Sequence, residues 1–513
     1  MPASAGRSAA LVAAGILVSR LLGFVRERVF AHYFGSSAAA DAVRAALRIP
    51  NAIRNLLGEG TLSASFIPVY ARLLESEDPR AARALAGAVA SLLLVAAAIA
   101  ALVGVALAPA ITTAVAPGFE PATRRLTVTL VRILFPMSAL LILAGWCLGV
   151  LNSHRRFFLP YAAPTLWNVA QIATMIGLSG AFAGGDLAVW LAWGTLAGAA
   201  LQLGVQVPAA VRLAGGFDFR PSLAVAGVRD VLVAWTPVVI GAGVVQISSF
   251  VDTFLASFLE EGAVASLGYA QLLTNLPIAL FGVSVAAAAL PELSREADGD
   301  ARLDALRRRL AEGFRRITFF VLPSAVAFAV LAEPAVSLLF QTGRFGERET
   351  RLVSGVLAAY SLGLVSYAAV KLLASGFYAL RDTVTPVRIA AASVALAAGL
   401  SWLLMQRFGP AGVALGSALA ATFNTVVHLI LLERRVGPVL GGADARPLAA
   451  CVVASALAGG AGFLAERWSA SLGLVGNAAV SYGGFAAVYL SASYLAGHPD
   501  ARRLLLALPG RRT

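Results

Sequence analysis

The chain has 513 residues, of which 59% are hydrophobic and only 13% charged, with a formal net charge of +13. A soluble domain carries about 25% charged residues, so this composition excludes a soluble enzyme and specifies a protein that crosses a membrane many times. The basic excess is almost all arginine, with Lys371 the single lysine; it suits loops beside anionic membrane lipids and argues against a nucleic-acid partner.

The first apolar segment, 8–31, is preceded by only one basic residue, Arg7, and runs through Arg20 into Phe30 without a cleavage site. It reads as a retained first helix rather than a signal peptide. The segment carries Arg20, Arg26 and Arg28, and the second, 41–58, carries Arg44, Arg48 and Arg54. At the bilayer centre each arginine would cost ~2.5–3.5 kcal/mol, and a lipid-facing set of this size ~15 kcal/mol or more. They are therefore expected to face protein, water or an anion. On a helix turning about 100° per residue, Arg20, Gly23 and Glu27 share a face, with Arg26 and Arg28 flanking it. In the second helix Arg44, Arg48, Asn51 and Asn55 share a face, Arg54 and Glu59 border it, and Pro50 is expected to kink the helix.

Glu27 and Glu59 cannot neutralise all of Arg20, Arg26 and Arg54. A planar guanidinium in a protected cavity suits phosphate, which it can grip bidentately. Arg28, Arg44 and Glu27 read equally well as a structural pairing set near the outer surface.

Further apolar segments lie near 84–115, 124–151, 159–182, 187–212, 227–258, 263–290, 314–340, 350–378, 384–406, 411–433, 446–466 and 474–496, making fourteen expected transmembrane helices. Arg72, Arg80, Arg83, Arg155, Arg156, Arg212, Arg381 and Arg388 fall on one side with both termini; Arg124, Arg125, Arg344 and Arg351 are among the fewer on the other. The bias puts both termini in the cytoplasm and requires segment two to cross. Between segments eight and nine, Leu303, Leu306, Leu310 and Phe314 alternate with Arg302, Arg307, Arg308 and Arg309. That pattern suits an amphipathic helix on the inner leaflet, or a solvated linker helix.

An internal repeat has an offset of 226 residues: Phe119 matches Phe345, Arg125 matches Arg351, Arg155 matches Arg381, and Pro160 matches Pro386. Six helices separate the copies, so they share one orientation, as in parallel-repeat transporters whose substrate path lies between the halves. The expected fold class is an all-α polytopic membrane protein with two six-helix lobes, 1–225 and 226–440, and two further helices with a tail in 441–513. Asp252 stands at the repeat counterpart of Arg26 and reads either as a charge-pair partner or as a ligand for a coupling cation. Cys147 and Cys451 lie in apolar stretches as small buried hydrophobes. The histidines have no metal-ligand spacing, no nucleophile–base pair is evident, and no metal or cofactor is expected.

The stretch Ser19-Arg20-Leu21-Leu22-Gly23-Phe24-Val25-Arg26-Glu27 resembles the first-helix motif of the MurJ (MviN) lipid II flippases, a branch of the MATE-like multidrug/oligosaccharidyl-lipid/polysaccharide exporter superfamily. Further matches are Ala40-Asp41-Ala42, Arg48-Ile49-Pro50-Asn51, Gly58-Glu59-Gly60 and Ser65-Phe66-Ile67-Pro68. Downstream, Leu151-Asn152-Ser153, Ala163-Pro164-Thr165-Leu166-Trp167-Asn168, Leu290-Pro291-Glu292-Leu293-Ser294 and Thr385-Pro386-Val387 fit as well.

The resemblance implies flipping of undecaprenyl-diphosphate-linked peptidoglycan precursor, lipid II, across the bacterial inner membrane by alternating access, for cell-wall synthesis and cell shape. It also implies a last helix pair lining a groove for the lipid tail. By motif position Arg20, Arg26 and Arg54 would hold the diphosphate, with Arg48 helping, and Asp41 and Glu59, with Glu27, would serve gating or lobe contacts. Coupling would be to membrane potential, H+ or Na+, and cell-wall synthesis proteins are the implied protein partners. One departure is Leu272, where many relatives carry an arginine; Gln271 and Asn275 are the polar residues beside it. The alternatives are a flippase for another lipid-linked glycan, a drug exporter of the same superfamily, and a non-transporting scaffold for cell-wall assembly.

Overall fold

Long apolar runs in a bilayer must satisfy every backbone N–H and C=O internally, and helices do so within one segment. A computed structural model describes residues 2–58, 60–76, 78–282 and 300–506. Glu59 and the Leu290–Ser294 motif lie outside the described residues. The described elements are helical apart from one bridge, Thr342 to Phe345.

In chain order the helices are α1 (Pro2–Phe34), α2 (Ala38–Leu57), α3 (Thr61–Glu75), α4 (Pro79–Ala106), α5 (Ala108–Val115), α6 (Pro121–Ser153), α7 (Phe158–Ala162), α8 (Pro164–Leu178), α9 (Gly184–Leu213) and α10 (Val228–Ala256). There follow α11 (Ala263–Pro277), α12 (Asp300–Val330), α13 (Ala332–Phe340), α14 (Glu347–Ser361), α15 (Leu364–Ala379), α16 (Val384–Phe408), α17 (Pro410–Val436), α18 (Gly442–Trp468), α19 (Gly473–Leu495) and α20 (Pro499–Leu506).

The protein is a multi-pass membrane protein: among the described residues, ten stretches are long and apolar enough to cross a bilayer. Segment two is not among them, because Asp41, Arg44, Arg48 and Arg54 crowd α2. Its C-terminal end lies within one residue of the expected boundary. α2 stops at Leu57, the Gly58 N–H bonds back to Arg54 O, and α3 restarts after Gly60 with the Thr61 hydroxyl donating to Leu56 O at 2.8 Å.

Two compact units emerge. The first comprises residues 1–265 with 342–345, and the second 266–341 with 346–513. In the first, α6 packs against α2, α4 and α9, α8 against α1 and α9, and α10 against α2 and α3. Its core includes Leu62, Phe66, Tyr70, Leu85 and Val150, and the Trp146 indole donates to Ala86 O at 3.1 Å.

In the second unit, Gly409 (φ 54°) ends α16, and Pro410 opens α17. The two helices then run back along each other, with Ser393 and Ser401 donating to Ala420 O and Val413 O at 2.8 and 3.0 Å. A Cβ on Gly416 would lie 2.4 Å from Ser401 N, so only glycine permits this approach.

The basic amphipathic stretch does not lie flat as a separate surface helix. It is the first part of α12, where Leu306 and Leu310 are buried against Leu372, Leu432 and Val436. Its apolar face is consumed by the unit's own core and is not available to a leaflet.

The repeat has local structural counterparts. The Phe119 N–H bonds Ala116 O, and at the same offset the Phe345 N–H bonds Thr342 O. At the end of α6, Arg155 N–H bonds Asn152 O and Arg156 N–H bonds Leu151 O; after α15, Arg381 N–H bonds Tyr378 O and Asp382 N–H bonds Phe377 O. Each partner is displaced by 226 residues from its counterpart.

Candidate functional site

Within the first unit, α1 and α2 bring the acidic and basic residues of the opening cluster together. Glu27 is buried, 5% exposed, and both Arg26 and Arg44 bind it: Arg26 Nη2 donates to Oε1 at 2.6 Å and Arg44 Nη2 donates to Oε2. One carboxylate thus offsets two guanidiniums, and this trio keeps a net positive charge. Burying that carboxylate is tolerable only because charged donors replace its lost water.

Arg26 is held on further sides. Its Nη1 donates to Asn168 Oδ1 at 3.1 Å, and the guanidinium lies over the Trp167 ring, 5.1 Å from the centroid. Asn168 in turn donates to Ser19 O at 3.3 Å, tying α8 to α1 one residue before Arg20. Two of the five N–H donors of Arg26 are therefore taken by described acceptors. The Trp167 indole N–H is buried without a described acceptor. Arg44 lies over Phe30 at 4.8 Å, so its stem and head are packed as well as paired.

Arg20 differs. It is exposed and has no hydrogen-bond or ion-pair partner among the described residues. Between it and Glu27, a Cβ on Gly23 would meet no atom within 4 Å, so this face of α1 borders open space. Arg54 is half-buried at the end of α2, with Nη2 at 3.4 Å from Asn55 Oδ1. Arg28 is exposed.

Arg48 reaches from α2 to α10, donating from Nε to Thr253 Oγ1 at 2.8 Å and from Nη1 to Ser249 Oγ at 2.7 Å. Asp252, buried at 6% exposure, precedes Thr253. Asp41 is also buried, 3% exposed, and accepts backbone N–H groups from Gly262 and Ala265 at 2.6 and 2.7 Å. Those amides sit at the first turn of α11, where a helix has N–H groups without partners of its own. Near the same end of the unit, Arg344 N–H bonds His32 O at 2.8 Å, and Gly118 N–H bonds Ser257 Oγ at 3.1 Å.

The structure therefore brings Arg26, Glu27 and Arg44 together and sends Arg48 and Asp41 to separate partners. Asn168, Trp167, Ser249 and Thr253 enter the site although their charge pattern gave no sign of it. Trp167 and Asn168 stand in the Ala163–Asn168 motif, and that motif is the sequence signal that could have found them.

In the second unit, half-buried Leu272 follows Gln271, whose amide donates to Tyr360 Oη at 2.9 Å, and Asn275 is exposed. Lys371 and Arg132 are exposed. No group of His, Cys, Asp and Glu able to hold a metal ion occurs among the described residues, and Cys147 and Cys451 are buried free thiols.

The family model described as lipid II flippase MurJ matches residues 30–482. A probable lipid II flippase MurJ of Rhizobium meliloti (strain 1021) is 34% identical over 476 residues, covering 90% of this chain and 86% of that protein. The lipid II flippase MurJ of Burkholderia cenocepacia is 35% identical over 429 residues, covering 82% of each. Among solved structures, a lipid II flippase MurJ in an inward closed conformation superposes with a TM-score of 0.77 at 23% identity, covering 96% of this chain and 99% of that one. An inward-facing multidrug resistance MATE family transporter of the MOP superfamily gives 0.66 at 16% identity, covering 82% and 94%.

Proposed function

The chain belongs to the lipid II flippase MurJ family, and from that premise we propose that it flips lipid II from the inner to the outer leaflet of the bacterial cytoplasmic membrane, with both termini cytoplasmic. It is a transporter, and its substrate is a lipid-linked molecule. No residue is assigned a catalytic role.

The observation that carries the site assignment is Arg20. It projects from α1, the expected first transmembrane helix, exposed and unpaired with any described residue, six positions before the clamped Arg26. An arginine in that setting is costly unless an anion or water meets it. A diphosphate supplies several acceptor oxygens and the opposite charge, and Arg20, Arg26 and Arg54 would grip it, with Arg48 assisting. Glu27 would tune the grip by drawing charge from Arg26 and Arg44. The Arg48 contacts with Ser249 and Thr253, and the Asp41 contacts with Gly262 and Ala265, would open and close with alternating access. Asp252, next to the Thr253 hydroxyl that holds Arg48, would act as a charge partner in the same group.

Depletion of the protein in its own host should leave lipid II in the inner leaflet and remove it from the outer surface. Wild type should restore outer exposure, and Arg20→Ala or Arg54→Ala should not. Normal exposure throughout depletion, in a strain with no second flippase, would overturn the assignment; full activity of both variants would overturn the site.

A further inference from the structure

The corner formed by the end of α6, the start of α7 and the end of α9 borders an open cavity of about 470 Å3. Its walls include Arg155, Arg156 and Arg212 beside Leu151, Phe158 and Leu213. All three arginines are exposed, and none pairs with a described carboxylate.

The second half of the chain provides an internal comparison. At the 226-residue offset Arg155 corresponds to Arg381, Arg156 to Asp382, Leu159 to Thr385 and Ala209 to Arg435. There the charges close on themselves: Asp382 Oδ2 accepts from Arg435 Nη1 at 2.6 Å and from the Thr385 hydroxyl at 2.6 Å, and Oδ1 accepts the Thr385 N–H at 2.9 Å. The backbone turn is the same in both copies, with matching hydrogen bonds and φ of 58° at Arg155 and 60° at Arg381. In the first copy an arginine replaces the carboxylate, and Leu159 and Ala209 replace Thr385 and Arg435 around it. The first corner therefore holds three arginines and no described carboxylate beside an apolar wall, where the second holds Arg381 and Arg435 with the carboxylate of Asp382.

We propose that this cavity binds an anionic phospholipid, with Arg155, Arg156 and Arg212 on the headgroup phosphate and Leu151, Phe158 and Leu213 against the start of an acyl chain. A free phosphate would satisfy the arginines but has no use for the apolar wall. A lipid uses both, and arginine matches its phosphate oxygens in paired hydrogen bonds. The proposal rests on the reading that this face is the cytoplasmic membrane surface, where anionic lipids concentrate.

The test is native mass spectrometry on delipidated full-length protein, titrated separately with phosphatidylglycerol, phosphatidylcholine and inorganic phosphate, with no lipid II present. Wild type should bind its first phosphatidylglycerol about tenfold or more tightly than phosphatidylcholine, the factor that one charge-assisted contact set supplies. Arg156→Asp, which puts the second half's carboxylate at this position, and Arg212→Gln, on a different helix, should each remove that preference; Arg156→Lys should keep most of it. Unchanged unfolding midpoints without lipid would show that the variants fold. Equal preference in wild type and both variants would overturn the proposal, as would competition by millimolar inorganic phosphate that abolishes lipid retention. Retention is read without transport, so it fails or succeeds separately from the flippase assignment.

Discussion

Asp41 and Gly262, 221 residues apart in the chain, are joined by a 2.6 Å hydrogen bond from the glycine N–H to Asp41 Oδ2. The other oxygen of the same carboxylate takes the Ala265 N–H at 2.7 Å. A buried acid thus caps a helix to which it is not locally connected, and its second oxygen makes the cap bidentate.

Asp41→Asn keeps the shape but replaces one acceptor oxygen with a donor that faces an N–H. The expected loss is about 1–3 kcal/mol at the cap. Hydrogen–deuterium exchange at the Gly262 and Ala265 amides should accelerate roughly tenfold or more, while amides in the Leu62–Tyr70 core keep their wild-type rates. Unchanged exchange at both amides would contradict a capping role.

Glu27 binds two arginines, so its removal leaves both without their buried partner. Glu27→Gln should destabilise the first unit by about 3 kcal/mol, since losing one member of a buried ion pair strands the others. Adding Arg44→Gln should restore part of that loss, because one stranded charge is then gone. A double-mutant cycle on purified protein measures the coupling; a coupling near zero would mean that the pair does not act as a unit.

Arg381 adopts a φ of 60°, a region that disfavours side chains with a Cβ. Arg381→Gly should leave stability unchanged or raise it by up to about 1 kcal/mol, and Arg381→Val should lower it by about 1–2 kcal/mol, by denaturant unfolding. The opposite order would exclude backbone conformation as the dominant effect.

Asp382 lies in the loop between α15 and α16. Hydrogen bonds from the Thr385 hydroxyl and N–H hold its carboxyl well below the usual carboxylate range, and Arg435 adds to the effect. The folded-state value is lower than the unfolded one, so the stabilisation is fully present above about pH 4 and is lost as the pH falls through the folded-state value. The midpoint difference between wild type and Asp382→Asn should be constant from pH 7 to about pH 5 and shrink below about pH 4. A difference that grew on acidification would have the wrong sign.

The apolar runs, the helical period and the side-to-side bias of arginine determined that this chain is an all-α membrane protein with a cationic cluster in its first two segments. The 226-residue register also lay in the sequence, down to the turns at Arg155 and Arg381. These features were legible because hydropathy, helix geometry and turn chemistry act within a few residues.

Only the tertiary structure decided which arginines are paired. Glu27 serves Arg26 and Arg44, Arg48 crosses to Ser249 and Thr253, and Trp167 and Asn168 clamp Arg26 from α8. It also placed the apolar face of the first part of α12 in the second unit's core rather than on a membrane surface. A helix's own sequence fixes which side chains share a face but not which neighbour that face meets. The energy of a buried charge depends on that neighbour.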